Sequence, residues 1–323
     1  MSQVARAWSL EDDVLAGLQA YPKRLPCRLL YDARGAELFE QITTLDDYYP
    51  TRTELRLLDA HLAEIAMSAG PDARVIEPGS GAGIKTRRLL RALARPASYV
   101  AIDVSREQLD HTAESLQHEH PELKVEVLAA DFTRPFSLPT PRHPLGRTVR
   151  FFPGSTIGNF EPAAAVTFLS RLQRLAGPGG MLLLGADGTR DPEVLLRAYD
   201  DAEGITAAFD KNVLAHLNRE RDAEFDLESF EHRAIWNDRM SRVEMHLVSQ
   251  RAQEIRIGDA VIELAAGEAI VTEHSYKHTL HAMRAILIAA GWQIREVHTG
   301  QPHPFRLWLC EASGPRAAIS TRL

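Results

Sequence analysis

Between Ala73 and Asp187 the chain alternates short apolar runs with amphipathic stretches of helical length. "ARVIEPG", "SYVAIDVS", "LKVEVLAADF", "TVRFFPG" and "GMLLLGAD" predict strands, and "KTRRLLRALA", "REQLDHTAESLQHEH" and "AAAVTFLSRLQRLAG" predict the helices. Apolar strands alternating with helices imply a parallel sheet covered on both faces, a doubly wound α/β domain. Ahead of this region, Ser9 with Asp12 resembles a capping box opening a helix through "VLAGLQA". Leu38, Phe39, Ile42 and Leu45 give "AELFEQITTL" helical spacing. Thr51 or Thr53 is placed to cap "ELRLLDAHLAEIAMSAG", which Gly70 ends. After "TRDP" the rhythm breaks. "EVLLRAYDDAEGITAAF" and "KNVLAHLNRE" read as two helices. "EHRAIWN", "SRVEMHLVSQ" and "QEIRIGDAVIELAAGEAIVTE" then predict an antiparallel meander with turns at "GD" and "AGE". The tail, helix "TLHAMRAILIAAG" and strands "WQIREVHT" and "RLWLCEA", returns to the first pattern. Two domains are expected: residues 55–190 with 278–314, and an α+β domain of residues 1–54 with the insertion 191–277.

The length of 323 residues is consistent with two domains. Apolar content of 45% and charged content of 25% are ordinary for a soluble globular protein. A net charge of −7 and a pI near 6.0 argue against a nucleic-acid partner. The densest basic stretch, "RALARPASY", reads as a solvated helix face. Cys27 and Cys310 supply neither a disulfide framework nor metal-ligand spacing, and His118 and His120 in "QHEHPE" stand in poor metal geometry. No metal is expected. "EDD" (Glu11 to Asp13) arrives before an apolar run could form a secretory signal. No run approaches the ~18 apolar residues of a membrane span. A reduced, cytoplasmic protein without a membrane partner is expected.

The candidate chemistry begins in "VIEPGSGAGIKT", Val75 to Thr86. Gly79, Gly81 and Gly83 fall at a strand-to-helix turn, where missing side chains let backbone N–H groups approach a ligand. Asp103 ends the next strand about twenty residues on, where a carboxylate can accept from ribose hydroxyls. Asp131, followed by Phe132, ends the third strand and can reach an adenine amine. A structural turn would explain the glycines alone, and an NAD enzyme is the main competing reading. The G-x-G-x-G spacing is one residue tighter than the dinucleotide fingerprint and counts against it. With Glu77 ahead of the glycines and acids ending the next two strands, the set resembles class I methyltransferases that bind S-adenosylmethionine.

"LDDYYPTRTE", Leu45 to Glu54, sets two phenols side by side. Such a pair can anchor a loop to the core, or one phenol can point into a pocket and hold a polar ligand. "YDARGAELFEQITTLDDYYPTRTE", "FFPGSTIGNF", "AYDDAEGITAAFDKNVLAHLNRE", "VEMHL" and "GEAIVTEHSYK" together resemble the histidine Nα-methyltransferases of ergothioneine biosynthesis, over nearly the whole chain. The resemblance implies a Rossmann-like, S-adenosylmethionine-binding methyltransferase domain at 55–190 with 278–314, and a substrate-binding domain at 1–54 with 191–277.

It also implies residue roles. Tyr48 and Tyr199 hold the substrate carboxylate, and Tyr49 is the structural member of its pair. Asn159 contacts the α-amine with Tyr31 nearby, which makes these two the candidates beside the reacting nitrogen. Glu273 and Ser275 bind the imidazole, and Met245 lines that pocket. Gly79, Gly81, Lys85, Asp103, Asp131 and Phe132 hold the cofactor. Neutral phenols suit this task because they bind a carboxylate without adding a cation that would repel the sulfonium. The implied product is the trimethylated betaine, reached by three transfers in a monomeric enzyme. The alternatives are methylation of another amino acid or imidazole-bearing amine in the same pocket, and a cofactor-binding regulator without turnover. Four positions depart from the family pattern: Glu77 and Pro78 for Leu-Gly, Asp210 for Asn, and His278 for Phe.

Overall fold

The computed structural model describes residues 10–140 and 146–313. Ser9 and Gly314, which figure in the expected first cap and the last domain boundary, lie outside the described residues.

In chain order, α1 (Leu10–Gln19), β1 (Lys23–Arg24), a 3₁₀ turn at Cys27–Tyr31 and α2 (Ala33–Thr44) lead into α3 (Tyr49–Ala69). The alternating region gives β2 (Arg74–Pro78), α4 (Ile84–Ala92), β3 (Ser98–Asp103), α5 (Arg106–Glu119) and β4 (Lys124–Ala129). It continues with β5 (Thr148–Phe152), α6 (Pro162–Ala176) and β6 (Met181–Ala186). Then come α7 (Pro192–Tyr199), α8 (Ile205–Arg221), β7 (Phe230–Asn237), β8 (Arg242–Ser249), β9 (Gln253–Ile257), β10 (Ala260–Leu264) and β11 (Ala269–Tyr276). The chain closes with α9 (Leu280–Ala289), β12 (Trp292–Thr299) and β13 (Arg306–Ala312). The residues form two compact units: residues 1–48 with 191–275, and residues 49–190 with 276–323.

The second unit carries a seven-stranded sheet in the order β12-β13-β6-β5-β2-β3-β4. β2 through β6 pair in parallel, whereas β13 is antiparallel to both its neighbours, so it alone opposes the other strands. The order reverses between β2 and β5. In such sheets ligands bind outside the carboxyl ends of the strands at this switch point. Both faces are covered, as the apolar strands require. Val75, Tyr99, Val149, Phe151 and Leu183 pack with Leu58 and Ile65 of α3, Leu89 of α4 and Leu109 of α5. On the other face, Phe152, Leu182 and Leu184 pack with Phe168 and Leu172 of α6 and Met283 and Leu287 of α9. Arg150 is the polar exception in β5. It is buried, and its Nη2 donates to the Leu175 carbonyl in the last turn of α6, where a cation opposes the helix dipole.

The first unit holds a four-stranded sheet, β1-β11-β8-β7, and a separate β9–β10 hairpin. Three sequence expectations are corrected, and one strand had no counterpart among them. The expected meander is interrupted, because the β9–β10 pair, with Ile255, Ile257, Ile262 and Leu264 buried, forms its own two-stranded sheet. Lys23 and Arg24 form a strand only by pairing in parallel with Ile270 and Val271 of β11. Helix α3 starts at Tyr49, ahead of Thr51 and Thr53, because Pro50 in the first turn has no N–H to leave unpaired. The helical stretch after Pro192 breaks before Gly204, earlier than its sequence suggested. Asp201 caps the N–H groups of Ile205 and Thr206 at 3.0 and 2.7 Å, and Gly204 adopts φ +73°. Asp210 therefore sits inside α8, fully buried.

Within the second unit, Asp187 at the end of β6 is buried completely. Its carboxylate accepts from the Tyr49 hydroxyl and from Thr189 N and Oγ1 (3.0 and 2.8 Å), and lies 3.2 Å from the equally buried Lys277 Nζ. Burial alone would push this carboxyl up, but Lys277, Tyr49 and Thr189 together hold it below the usual carboxylate range. Removing one partner of a buried ion pair leaves an uncompensated charge, at a cost of about 3–5 kcal/mol. Lys277→Met is therefore expected to lower stability by roughly that amount, read as a fall in the urea midpoint. An unchanged midpoint would show that the pair is not buried as described.

Candidate functional site

The turn from β2 into α4 places three glycines with positive φ: Gly79 (+72°), Gly81 (+48°) and Gly83 (+70°). A Cβ on Gly79 would stand 3.3 Å from the Phe132 ring, whereas a Cβ on Gly81 would meet nothing within 4 Å. The backbone at Gly81 thus borders open space in a conformation that side chains resist. Gly81 N–H reaches toward Asp103 Oδ2 at 3.4 Å, and Asp103 Oδ1 accepts from Val104 N (2.7 Å) and Ser105 N (3.3 Å). One carboxylate oxygen is fixed by its own loop and the other has a single long contact. Burial raises the Asp103 pKa despite these N–H donors. A glycine cradle beside a strand-end carboxylate fits the phosphate-free nucleoside of S-adenosylmethionine.

Phe132 packs on Phe152 and Phe168 at ring distances of 6.0 Å. Its loop is pinned by Arg171 Nη1, which donates to the carbonyls of Phe132, Thr133 and Arg134. Asp131 Oδ1 accepts from Thr133 N and Oγ1 at 2.9 and 2.5 Å, so part of this carboxylate stabilises the turn. Lys85 Nζ lies 2.5 Å from Glu54 Oε2, and Glu54 also accepts from Gly154 N at 2.8 Å. An ammonium has three donor hydrogens, so this ion pair leaves capacity for a second acceptor. Asn159 is half-buried in a short 3₁₀ turn that follows two positive-φ residues, Gly154 and Ser155. All of these residues belong to the second unit.

The first unit gathers most of the remaining candidates. Tyr48 and Tyr199, each 7% exposed, have ring centroids 6.2 Å apart. Tyr31 meets Phe39 edge-on at 5.6 Å and Phe209 at 5.4 Å, and Phe39 meets Tyr48 at 6.2 Å. The Tyr199 hydroxyl and Ser275 Oγ are 2.8 Å apart, and Glu273 precedes Ser275 by one pleat on β11. Burial pushes the Tyr31 phenol well above its ordinary pKa, and the nearby charge on Glu273 pushes it further. Tyr31 consequently stays a proton donor at neutral pH. The carbonyl of buried Met245 on β8 lies 3.1 Å from Thr272 Oγ1, whose single hydrogen goes to the closer Asp210 carboxylate. Tyr31, Tyr48, Tyr199, Met245, Glu273 and Ser275 thus share one unit, and Asn159 and the glycine turn belong to the other. The adjacent tyrosines divide between them: Tyr48 closes the first unit's segment, and Tyr49 opens the second's and bonds Asp187.

Sequence reasoning missed Glu54, Asp187, Lys277, Asp210 and His232. Asp187 carried a usable signal, because it ends its strand in "LGAD" as Asp103 ends "AID". Asp210 stood out in the sequence only as a departure from the family's Asn, and nothing there linked it to His232, 2.7 Å away and 22 residues on. His61, Glu64 and His298 also cluster, but the two rings stack at 3.6 Å with planes 20° apart. In-plane lone pairs of near-parallel stacked rings do not converge on one cation.

Residues 10–312 match the family model described as histidine-specific, S-adenosylmethionine-dependent methyltransferase. The chain is 44% identical over 298 residues to a histidine N-alpha-methyltransferase of Mycolicibacterium smegmatis, covering 90% of this chain and 91% of that one. It is 41% identical over 309 residues to the protein of the same name from Mycobacterium tuberculosis, covering 94% and 92%. Over 201 residues it is 37% identical to ergothioneine biosynthesis protein 1 of Neurospora crassa, covering 61% of this chain and 23% of that longer one.

Glu77, at the glycine turn, is fully enclosed and accepts from the Thr86 and Tyr99 hydroxyls at 2.5 and 2.6 Å. Burial, only partly offset by these bonds, pushes its pKa from 4.5 up to about 7. A carboxyl whose folded pKa is raised stabilises the fold fully below its unfolded pKa and loses that contribution as pH rises through the folded value. Between pH 4.5 and about 7, this group therefore makes the wild type lose stability as pH rises. Glu77→Gln, which keeps an oxygen for both hydroxyls, is expected to flatten that part of the profile. Denaturant midpoints measured at intervals across the window check this, and parallel wild-type and variant profiles would refute it.

Proposed function

The chain belongs to the family of histidine-specific, S-adenosylmethionine-dependent methyltransferases, and on that premise we propose that it converts L-histidine to hercynine, the Nα-trimethylated betaine, in three successive methyl transfers. This would place it in ergothioneine biosynthesis. The observation that carries the reading is the buried group in the first unit. The Tyr199 hydroxyl meets Ser275 Oγ at 2.8 Å, Tyr48 lies beside Tyr199, and Glu273 is close enough to Tyr31 to act on its phenol. A free amino acid presents a carboxylate, an amine and a side chain, and each needs its own partner.

In this reading the first unit is the substrate-binding domain and the second the methyltransferase domain. Tyr48 and Tyr199 donate to the substrate carboxylate. Glu273 accepts from an imidazole N–H, with Ser275 as its neighbour and Met245 as the apolar wall. Asn159 offers its amide oxygen to the α-amine and orients the nitrogen lone pair, and Tyr31 holds a water that can take up the displaced proton. In the second unit, Asp103 Oδ2 accepts from ribose hydroxyls. Asp131 and Phe132 border the adenine, Gly79 and Gly81 give room for the backbone approach, and Lys85 meets the cofactor's carboxylate. When bound, S-adenosylmethionine supplies an electrophilic methyl group with a good leaving group already attached. The protein's contribution is then chiefly to position a deprotonated amine, the kind of assistance that orientation supplies efficiently. Asn159 is neutral and forms no fixed ionic clamp, so successive methyl groups can be accommodated.

Glu273 also explains selection for histidine. A charge-assisted hydrogen bond is worth roughly 1.5–3 kcal/mol, and a side chain without that N–H leaves the carboxylate unpaired. No helix among the described residues is long and apolar enough to cross a membrane. The enzyme is read here as cytoplasmic and monomeric.

Mass spectrometry of histidine incubated with protein and S-adenosylmethionine is expected to reveal additions of one, two and three methyl groups. Failure to modify histidine while another amino acid is methylated would overturn the substrate assignment. Glu273→Ala should weaken histidine binding about tenfold or more and leave cofactor affinity unchanged, and Asp103→Ala should do the reverse. Calorimetric titration with each ligand separates the two, and equal losses of both in either variant would show that its role has been misassigned.

A further inference from the structure

His232, on β7, lies within the first unit with its side chain 1% exposed. Its Nδ1 stands 2.7 Å from Asp210 Oδ2, and its Nε2 stands 2.9 Å from the carbonyl oxygen of Tyr199. Both neighbours can only accept, provided Asp210 is ionised. A neutral imidazole has one donor and one acceptor nitrogen, so it could satisfy only one of these contacts. The other would set two lone pairs face to face in a buried site. The two contacts together require one proton more than a neutral imidazole beside a carboxylate would hold.

That extra proton belongs on the ring. Asp210 is fully buried, and its second oxygen accepts from Thr272 Oγ1, so both its oxygens serve as acceptors. Burial works against a charged ring, yet the bonds to Asp210 and Tyr199, with the negative charge of Asp210 and more distantly Asp200, outweigh it. The result is an imidazolium and a carboxylate enclosed together, with no net charge.

This pair lies directly behind the proposed substrate contacts. Tyr199 is the last residue of α7, and its carbonyl is among those a helix end leaves without an intrahelical partner. A cation donating there closes the last turn and opposes the helix dipole. The same turn carries the phenol that meets Ser275. The other arm runs from Asp210 to Thr272, which precedes Glu273 on β11 and also reaches the Met245 carbonyl. One buried ion pair therefore joins α7, α8, β7, β8 and β11, behind Tyr199, Met245 and Glu273.

We propose that His232 and Asp210 are positioning residues for the substrate amino acid: an enclosed imidazolium–carboxylate pair that sets the Tyr199 phenol by holding its backbone carbonyl. This rests on the substrate-side reading given under Proposed function, but its protonation component can be tested without turnover. Nitrogen NMR of the histidine-labelled protein at neutral pH is expected to show both His232 ring nitrogens protonated. In Asp210→Asn the new amide can donate to Nδ1 while its oxygen still accepts from Thr272. The ring should then become neutral, with its proton on Nε2 and the bond to Tyr199 kept.

In kinetics, His232→Ala is expected to raise KM for histidine about tenfold or more, the scale of losing a hydrogen bond to a charged group. KM for the cofactor should not change, and kcat should fall by less than the KM for histidine rises. Asp210→Ala should resemble it. Asp210→Asn, which preserves every contact in the pair, should recover most of the loss. A wild-type His232 with a single protonated nitrogen would overturn the proposal, as would equal rises in both KM values for His232→Ala. Should His232→Ala fail to fold, the wild-type spectrum and the ratio of KM values in Asp210→Ala decide the matter. A wild-type protein that methylates no histidine would refute the substrate assignment, and the spectrum would still report the state of the pair.

Discussion

Asp187 is the point on which the second unit's architecture turns. The chain passes between the two units three times, after Tyr48, Arg190 and Ser275. Within the second unit each crossing lies near a member of one buried group: Tyr49 at the first, Asp187 and Thr189 at the second, Lys277 at the third. A carboxylate and an ammonium taken out of water cost far more than either returns alone, so neither is tolerable there without the other. That mutual requirement fixes where three distant pieces of chain begin and end. It also explains the adjacent tyrosines. The Tyr49 hydroxyl is committed to Asp187 within the second unit, and Tyr48 belongs to the aromatic group of the first.

The first unit handles polarity differently. Its aromatic group presents hydroxyls beside one carboxylate, and the charged pair behind it, His232 with Asp210, cancels. Under the proposed function, phenols would bind a substrate carboxylate without adding a cation of the kind that repels a sulfonium. Phenols keep their protons at neutral pH, and for Tyr31 burial, with Glu273 nearby, moves the pKa further up.

The sheet was legible in sequence because its strands are apolar on both faces, which only a sandwiched parallel sheet demands. β1 was not legible: Lys23 and Arg24 have no strand character of their own and acquire it from backbone pairing with β11. The start of α3 was obscured by Pro50, which usually marks a boundary but is harmless in a first turn. The break between α7 and α8 was displaced because Asp210 looks like a helix breaker and is in fact an interior buried partner of Thr272 and His232. At the candidate site, the glycine turn and Asp103 could be read from position alone, whereas roles for Tyr48, Tyr199 and Glu273 came only through family resemblance. Periodicity treats a half-buried tyrosine and a ligand-holding one alike. The His232 contacts were beyond any local pattern, since both partners arise from tertiary packing.

The acids that close the strands of the parallel sheet show how partners decide between structural and chemical duty. Glu77 and Asp187 are comparably enclosed, yet one is pushed to about 7 and the other held low. Both accept hydroxyl protons, from Thr86 and Tyr99 in one case and from Thr189 and Tyr49 in the other. The difference is Lys277. Asp103 has neither a cation nor a hydroxyl donor; three backbone N–H groups reach it, two of them on Oδ1, and burial still raises its pKa. A carboxylate left short of donors is stabilised by whatever brings hydrogens to its second oxygen. Under the proposed role of Asp103, the neutral, vicinal hydroxyls of a ribose would supply those hydrogens without the charge that Lys277 brings to Asp187.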